Sequence, residues 1–496
     1  MLVEEERSPE APDVAGLRRS RPWSVVAGAV VLACAVFWLV REGLLDDSYI
    51  TLSYARSVVE QGVWGMIPGE VANSATSPGN VLVLALLTLL VGSPVWALGV
   101  VFVASAVVLV LGLRRSALDR GLPGWTGVMT AVLVGLNPLL LSTVGLEMTL
   151  AAALLAVLLA SASGSRPWLF GVTAGAMALT RLDLVVFVVT ALVLCPGLWR
   201  GWWKWFVAVG AVAGPWFAFS WFYFGSAVPD TMVIKQLQAS WGEYSFDNGL
   251  GMLHELAPRP TLVALLPAVC GVGSLLVLAC ANIAGRAHRA WPWVVLGLGG
   301  VAHYLVYMRL DVPPYHWYYA PSLIGTTIAF GGLLGLVAAR MRRRALVALA
   351  GVVLVVPSVW VAVGQGVPWR TVPIETNWGS AADYARIGTE VGRRVGEATV
   401  TSPGELGTLV YFCRCRMVDG FSDRGYLGPE IAERIDRAGP LTAALLRVNY
   451  HHFVPTEPRE IDYLLRVAEG PGPDPFWTIS TPLGPPMHLT LEAAKP

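Results

Sequence analysis

Apolar stretches separated by short polar turns fill most of residues 22–369. Only 31 residues of that region are charged, a share of about 9%, whereas an average soluble domain has roughly 25%. A helix crosses the hydrocarbon core of a bilayer with about 20 apolar residues. This composition excludes a soluble enzyme and predicts a polytopic α-helical membrane protein. The pattern favours about eleven transmembrane helices, at residues 22–40, 94–113, 125–143, 147–163, 168–180, 183–199, 204–223, 260–283, 291–308, 319–339 and 345–364.

The two ends of the chain are more polar than this body. Residues 1–21 carry nine charged residues, which predicts a disordered tail, and residues 370–496 carry 29. Apolar runs and periodicity in the second region indicate two strands, at 398–401 and 408–412, and two helical stretches, at 383–397 and 428–448. We therefore expect a transmembrane module at 22–369 and a small α/β domain at 370–496.

The basic residues predict an orientation. Lys and Arg concentrate on the cytoplasmic side of membrane proteins, and Arg18, Arg19 and Arg21 precede the first predicted helix. The N-terminus is therefore expected in the cytoplasm of a multi-pass protein of the plasma membrane. The later basic clusters also fall inside if residues 79–92, which are too few to cross, form an interfacial or re-entrant helix. The C-terminal domain then lies outside the cell.

The first predicted outer loop, residues 41–93, carries adjacent acids. Asp46 and Asp47 stand at the start of a stretch, residues 49–61, whose apolar positions predict an amphipathic helix on the membrane surface. Acids at a helix start can simply cap its free N–H groups and oppose its dipole. Since the two side chains point in different directions, one can cap while the other faces a cavity.

Several segments resemble the GT-C glycosyltransferases, membrane enzymes that use lipid-phosphate sugars, and are most similar to the branch of bacterial cell-wall arabinofuranosyltransferases. The similar segments follow one another in the same order and cover about 380 residues. They are DDSYITLSYAR at 46–56 with PGE and TSP after it, GLEMTL at 145–150, LTRLD at 179–183, YFGSAVPDTMVIK at 223–235 and GELGTLVYFCRCRMVDGFSDR at 404–424. The chain departs from that branch where basic residues are expected: Val71 and Ala72 follow the PGE, and Trp317 follows His316.

The resemblance implies a GT-C fold and an activity. A sugar, arabinofuranose in that branch, would move from a polyprenyl phosphate to a cell-envelope glycan on the outer face of the membrane. The donor and membrane lipid are the implied partners. The net charge of +1 gives no footprint for nucleic acid. An Asp carboxylate is implied as the base that deprotonates the acceptor hydroxyl, and we expect Asp46 to act as that base rather than Asp47.

The other predicted site residues follow from the same chemistry, which needs cations at the departing phosphate and polar groups at the sugar. As ligands of the donor phosphate we predict Lys235, Arg181, His316 and Arg309. As ligands of the sugar or acceptor we predict Glu147, Tyr49, Glu70 and Asp183. Ordinary structural roles compete with several of these assignments. Arg181 and Asp183 could pair with each other, Glu147 could serve a helix start, and His316 stands in an aromatic belt.

Three further points stay open in the sequence. A divalent cation, if one is used, would be held by Asp46, Asp47 and Glu147, because carboxylate oxygens suit Mg²⁺, Mn²⁺ or Ca²⁺. Cys413 and Cys415 are expected as unpaired thiols, because their spacing strains a disulfide. The alternatives for the function are a mannosyl or aminopentose transferase of the same fold, a non-catalytic transporter of lipid-linked sugars, and a catalytically dead scaffold.

Overall fold

The structure, a computed structural model, describes residues 22–494 except 284, 286, 341–343, 474–475 and 482–484. The predicted tail at 1–21 lies outside the described residues. Helices account for most of the chain up to residue 364, and a sheet is found only beyond it in the described part. The chain therefore has a helical body followed by a smaller domain that contains a sheet.

Sixteen helices form the described part of the body, joined by short loops and single 3₁₀ turns. They are α1 (Pro22–Val40), α2 (Asp46–Gln61), α3 (Pro78–Val91), α4 (Pro94–Asp119), α5 (Gly124–Gly135), α6 (Pro138–Ser142), α7 (Met148–Ser163), α8 (Pro167–Thr180), α9 (Val185–Leu194), α10 (Trp202–Tyr223), α11 (Thr231–Gln238), α12 (Gly249–Leu256), α13 (Pro258–Ile283), α14 (Trp291–Tyr307), α15 (Ala320–Arg340) and α16 (Arg344–Gly364). All eleven predicted segments are helical over most of their length. The helical membrane class is therefore confirmed.

Six helical segments in the described residues are long and apolar enough to cross a membrane unaided. They are Trp23–Val40, Pro94–Asp119, Pro196–Tyr223, Pro258–Asn282, His316–Arg340 and Arg344–Gly364. Shorter apolar helices pack between them. One of these is α3, with 14 residues, which corresponds to the predicted interfacial or re-entrant helix. The total number of crossings stays a prediction.

Two predicted segments, 125–143 and 183–199, are not continuous helices, and the first of them shows why. It breaks into α5 and α6 at Asn137 and Pro138, because the Asn137 side chain accepts the backbone N–H of Leu139 at 3.0 Å and Pro138 takes the first helical position. Pro at this position lacks an N–H that would be unsatisfied anyway. The break also brings the Asn137 amide within 2.8 Å of the carbonyl of Ala264 in α13.

Exposed aromatic rings mark the two ends of the bundle. Trp38 at the end of α1 lies 6.5 Å from Trp96 at the start of α4, centroid to centroid. Trp168 and Trp203, at the starts of α8 and α10, lie 5.5 Å apart. An ion pair of 2.7 Å between Arg166 and Asp119 holds the start of α8 beside the end of α4, so the two Trp pairs stand at opposite ends. Trp concentrates where a membrane meets water.

The C-terminal domain contains four helices and one five-stranded sheet. The helices are α17 (Ala381–Val395), α18 (Gly407–Cys413), α19 (Leu427–Asp436) and α20 (Pro440–Asn449), and the strands are β1 (Thr399–Thr401), β2 (Arg416–Val418), β3 (Tyr463–Glu469), β4 (Phe476–Ile479) and β5 (Met487–Ala493). The strand order is β2-β1-β3-β5-β4, with β1 parallel to β2 and β3, and β5 antiparallel to its neighbours. A small C-terminal α/β domain is therefore confirmed. Its placement outside the cell stays a prediction.

Two local predictions for this domain were wrong, those for residues 408–412 and for the two cysteines. Residues 408–412 are helical, as part of α18, because the run is buried on most sides and lacks the alternation of a half-buried strand. Residues 428–448 are helical as predicted, in two helices, α19 and α20, which Gly439 and Pro440 separate. Cys413 and Cys415 are joined in a disulfide, because α18 ends between them and turns the two side chains towards each other.

Candidate active site

A cavity of about 530 Å³ lies where the loops at one end of the bundle meet the C-terminal domain. The bundle contributes residues that follow α1, precede α7, follow α8 and α10, and follow α14. The charged residues of the lining are Asp46, Asp47, Glu147, Arg181, Lys235, Glu405 and Asp419. Five of these seven were predicted site residues from four segments far apart in sequence. The cavity is therefore the candidate active site.

Asp46 is bound by the backbone of the C-terminal domain. Its two carboxylate oxygens accept the N–H groups of Gly407, at 2.8 Å, and Thr408, at 2.7 Å, at the start of α18. A Cβ at Gly407 would overlap the carbonyl oxygen of Asp46, so the close approach of α2 and α18 requires glycine there. Burial raises the pKa of Asp46, and these N–H groups oppose the rise. Asp46 therefore caps a helix, although not its own.

We expect Asp46→Ala to loosen this junction. Two buried N–H groups would lose their acceptor, which costs about 1–3 kcal/mol for a buried donor. Amides of residues 407–413 should exchange hydrogen faster in the variant than in the unaltered protein, measured by mass spectrometry in detergent. Asp46→Asn keeps one acceptor oxygen and should show a smaller change. Unchanged exchange in Asp46→Ala would contradict the capping role.

Asp47 has the opposite environment. Its side chain keeps part of its surface open to the cavity, although the carboxyl lies deep in the protein. Burial raises its pKa to about 6, the charge of Lys235 opposes this, and Asp46 and Glu147 add to it. Both acids line the cavity, but the carboxylate oxygens of Asp46 accept N–H groups of α18, whereas the Asp47 side chain is the more exposed of the two. A carboxyl with a pKa near neutrality and an open face suits a general base.

Lys235 lies on α11 and reaches into the same cavity. Its ammonium donates a hydrogen bond to the Tyr315 hydroxyl and stands 4.9 Å from the centroid of the Phe421 ring. Burial lowers the pKa of Lys235 to about 8, and the carboxylates of Asp47 and Asp419 oppose this. Lys235 and Arg181 are the only basic side chains among the described residues that line the cavity.

Arg181 is already paired with carboxylates. Its guanidinium donates to both oxygens of Asp183, with Nε at 3.0 and 3.1 Å and Nη2 at 2.8 Å from Oδ2, and to Glu147 at 2.9 Å. Asp183 also accepts the hydroxyl of Tyr307 at 2.6 Å and lies 3.2 Å from the ring of His303. The guanidinium fork is thus used inside the protein. From the sequence, Arg181 could either pair with Asp183 or bind the donor phosphate. The structure favours the pairing with Asp183.

Glu147 enters the cavity by way of this cluster. Gly145 takes a φ of 109°, a conformation that favours glycine, in the turn just before α7. Glu147 is the residue that precedes α7, but its side chain caps no N–H of that helix. It instead accepts from Arg181 and is almost fully buried. Glu147 therefore lines the cavity with an orientation set by an ion pair, whereas Asp183 lies behind it and is not in the lining.

Four further predicted ligands, like Asp183, lie outside the lining of the cavity. His316 is fully buried and outside the lining, because the 3₁₀ turn at residues 316–318 directs Trp317 and Tyr318 to the cavity instead. Arg309 is exposed at the end of α14. Tyr49 packs on the rings of Tyr411 and Phe412 in the α2–α18 contact, at centroid distances of 5.3 and 5.7 Å. Glu70 accepts Arg459 of the C-terminal domain at 2.8 Å.

Residues of the C-terminal domain that line the cavity were not predicted individually. Glu405 accepts the backbone N–H of Trp378 at 3.0 Å and the hydroxyl of Tyr384, and burial raises its pKa to about 8. Asp419 accepts the N–H groups of Phe421 and Ser422 at 2.8 and 3.0 Å. Both acids lie in the segment 404–424, which carried part of the resemblance. The resemblance of this segment to the family was recognised, but no role was predicted for Glu405 or Asp419 within it.

The acids predicted to hold a cation do not form a ligand set. Both oxygens of Asp46 accept backbone N–H groups, and Glu147 accepts Arg181. Asp47 is the one of these three acids for which no ion pair and no hydrogen bond to another residue is found in the described part of the chain. No group of three or more His, Cys, Asp or Glu side chains suited to a metal occurs within residues 22–494 where these are described. The donor set therefore does not fit a cation bridged by these three acids.

Solved structures resemble the chain, whereas no protein-family model and no curated protein matches it. ArnT from Cupriavidus metallidurans, bound to undecaprenyl phosphate, superposes with a TM-score of 0.55 over 94% of this chain and 98% of its own, at 14% identity. The oligosaccharyltransferase AglB from Archaeoglobus fulgidus, in complex with an inhibitory peptide and a dolichol-phosphate, gives 0.52 over 90% and 69%, at 11% identity. The arabinofuranosyltransferase AftD from Mycobacteria gives 0.48 over 78% and 30%, at 18% identity.

ArnT and AglB have the GT-C fold, so the predicted GT-C fold is confirmed. The similarity extends over nearly the whole of this chain and of ArnT, body and C-terminal domain together. The chain is thus a multi-pass membrane protein of this fold.

Proposed function

We propose that this protein is a membrane glycosyltransferase that moves a sugar from a polyprenyl phosphate to a hydroxyl group of an acceptor. The observation that carries the proposal is the placement of Asp47 and Lys235 in one cavity, at the end of a GT-C bundle. A carboxylate with a pKa of about 6 can accept a proton near neutral pH, and a buried ammonium in the same cavity can bind a phosphate. The solved structures of ArnT and AglB hold undecaprenyl phosphate and dolichol-phosphate, which supports a lipid phosphate as the donor.

The proposed reaction is a transfer at the anomeric carbon of the donor sugar. The acceptor oxygen bonds to that carbon while the bond from the carbon to the phosphate oxygen breaks. Asp47 accepts the proton of the acceptor hydroxyl and later releases it to solvent. The polyprenyl phosphate leaves with the electron pair of the broken bond, and the Lys235 ammonium stabilises its added negative charge. No general acid is required, because the phosphate is itself a good leaving group.

Lys235 is the proposed phosphate ligand because the other basic side chain of the cavity lining, Arg181, is already paired. Arg181 donates to Asp183 and Glu147 and has its fork occupied. Lys235 donates to a neutral phenol, that of Tyr315, which a phosphate oxygen can displace. The positions where related sequences have basic residues hold Val71, Ala72 and Trp317 here. In related sequences several basic residues could share the binding of the phosphate. In this chain Lys235 therefore has a larger part in it.

The C-terminal side of the cavity is the proposed acceptor site. Trp378, Glu405 and Asp419 face the bundle across the cavity, and Trp241 and Trp317 line it as well. Aromatic side chains offer large rigid apolar faces, against which sugar rings pack, and carboxylates accept hydrogen bonds from sugar hydroxyls. A glycan fits these groups better than a charged acceptor such as nucleic acid does. Arabinofuranose as the sugar, and the outer face of the plasma membrane as the location, rest on the sequence resemblance.

The proposal is tested with purified protein and a panel of radiolabelled polyprenyl-phosphate sugars. The panel contains arabinofuranose, mannose and an aminopentose, each offered with cell-envelope glycan. We expect arabinofuranosyl product and free polyprenyl phosphate in equal amounts. Product from one of the other donors would correct the sugar and keep the enzyme class. Movement of an intact lipid-linked sugar across vesicles without any glycan product would instead support a transporter.

The pH profile of the transfer should be bell-shaped. Asp47 must be ionised to accept a proton, so kcat/KM should rise as the pH increases through about 6. Lys235 must be protonated to neutralise the phosphate, so kcat/KM should fall as the pH increases through about 8. Lys235→Arg should remove the alkaline limb and keep the acidic one, since a guanidinium stays charged. An alkaline limb that persists in this variant would show that another group causes it.

A further inference from the structure

Helix α20 of the C-terminal domain has two apolar faces, of which the fold uses only one. Ala443, Leu446 and Tyr450 are buried against the rest of the domain. Leu441, Leu445 and Val448 lie on the opposite face, and they are 75%, 62% and 62% exposed. In the described residues nothing covers these three side chains. A helix with a second, solvent-directed apolar face needs an occupant for that face.

The neighbouring helix α19 has no exposed apolar face, so such a face is not a general feature of the helices in this domain. Leu427 and Ile431 of α19 are buried, as Leu446 of α20 is. The outward side of α19, however, carries Glu433 and Asp436, which are exposed charged residues. Two helices of equal length, side by side in the same small domain, therefore differ in what they present outward. The apolar outward face is a property of α20 alone within this pair.

The end of α20 is joined to the end of a membrane-spanning helix. The indole N–H of Trp221, in the last turn of α10, donates to the carbonyl of Val448 at 2.9 Å. The Trp221 and His452 rings are 4.6 Å apart, and Asn449 accepts the N–H of Val228 at 2.9 Å. The segment Pro196–Tyr223 that contains α10 is long and apolar enough to cross a membrane. Residue 448 is thus held at the level at which α10 ends.

The residues at that level are typical of a membrane–water interface. Phe222 and Tyr223, beside Trp221 at the end of α10, are 67% and 60% exposed. Exposed aromatic residues at the end of a spanning helix are typical of the interfacial belt. Because α20 is hydrogen-bonded to this belt, its exposed apolar face lies close to the exposed aromatic residues at the end of α10. Both the apolar residues of the exposed face of α20 and its location beside the end of α10 therefore favour lipid as the contact of that face.

We propose that α20 is an interfacial helix, lying in the membrane that α10 spans, with Leu441, Leu445 and Val448 among the lipid chains. Arg447 lies on the flank of the helix and is exposed, where its guanidinium reaches lipid phosphates. The C-terminal domain is then attached to the bilayer as well as to the helix bundle.

The attachment bears on the cavity through one apolar cluster. Val233 and Ile234 of α11 pack with Leu446 of α20, with Tyr450 directly after α20, and with Leu427 of α19. The next residue of α11 is Lys235, which lines the cavity. Lipid contact along α20 therefore supports the helix that carries Lys235. This consequence rests on the proposed function, whereas the lipid contact itself does not.

The test measures where α20 lies without using enzyme activity. Cys34, Cys195, Cys270 and Cys280 are first replaced by Ala, because they are unpaired. A nitroxide label is then attached at Leu445→Cys on α20, and in a matched control at Glu433→Cys on α19. Each labelled full-length protein is placed in nanodiscs of phosphatidylglycerol and phosphatidylethanolamine. Collision with oxygen, which concentrates in lipid, is compared with collision with a water-soluble nickel chelate.

We expect the label at position 445 to collide mainly with oxygen and the label at position 433 mainly with the chelate. Labels at 441 and 448, examined in the same way, should report the same side of the interface. Equal exposure of 445 and 433 to the chelate would overturn the proposal. So would protection of 445 from both reagents with spin–spin broadening, since that would place a second copy of the chain on the face. All these positions are exposed, so labelling them leaves the core intact.

Discussion

Asp47→Asn is expected to lower the rate of sugar transfer by a factor of about 10²–10⁴, the usual contribution of a general base. The amide keeps the size of the carboxylate and one acceptor oxygen but cannot accept the proton of the acceptor hydroxyl. Asp47 forms no interaction with the C-terminal domain comparable to that of Asp46, so the fold should be unaffected. Initial rates with saturating donor and acceptor measure the effect on kcat.

Two companion variants make this result specific. Asp436→Asn makes the same chemical change at an exposed position on α19 and should leave the rate unchanged. Asp46→Asn should mainly increase hydrogen exchange in residues 407–413, with a smaller effect on the chemical step. If Asp46→Asn abolished transfer with normal exchange while Asp47→Asn remained active, the base would be Asp46, as first expected from the sequence.

Lys235→Met is expected to lower kcat by a factor of about 10²–10³, the usual loss when one group that stabilises developing negative charge is removed. The variant keeps an unbranched side chain of similar length in the contacts with Tyr315 and Phe421, but it has no charge for the departing phosphate. The affinity for the lipid donor should fall as well, because the ground-state phosphate is also anionic. Steady-state rates at varied donor concentration separate the two effects.

The chain offers a matched control for this change. Lys204 lies at the start of α10, on the opposite end of the bundle from the cavity, beside the ring of Trp203. Lys204→Met therefore removes the same charge at a distance from the proposed site and should retain full activity. Equal losses in both variants would point to a general effect on insertion or stability. A fully active Lys235→Met would remove Lys235 from the phosphate site.

Much of the fold was predictable because the local sequence alone determines where a membrane helix forms. A run of apolar residues long enough for the bilayer is a helix almost wherever it occurs, since unpaired backbone groups are too costly in lipid. The broken segment at 125–143 and the helix at 408–412 were not predicted. At 125–143 a single capping residue breaks the helix, and at 408–412 the packing around a short run decides its conformation. Neither cause gives a periodic pattern in the sequence.

The site was predicted as a set more successfully than residue by residue. Glu147, Arg181 and Lys235 were chosen from separate segments, and all three line the cavity with Asp46 and Asp47. His316, next to two residues of the lining, points away from it. Neighbouring residues in a turn diverge by large angles, so a motif identifies the turn without identifying which of its side chains faces the cavity.

The residues alone determined that the chain is a helical membrane protein with a polar C-terminal domain, because burial in lipid imposes composition and length on each segment separately. They also determined which loops collect charge. Only the tertiary structure distinguished the environments of the two adjacent acids. Asp46 meets two N–H groups of α18, a helix more than 350 residues away in sequence, and Asp47 meets the cavity with Lys235. That difference depends on how distant segments pack, and interactions between such segments leave no trace in the local order of residues.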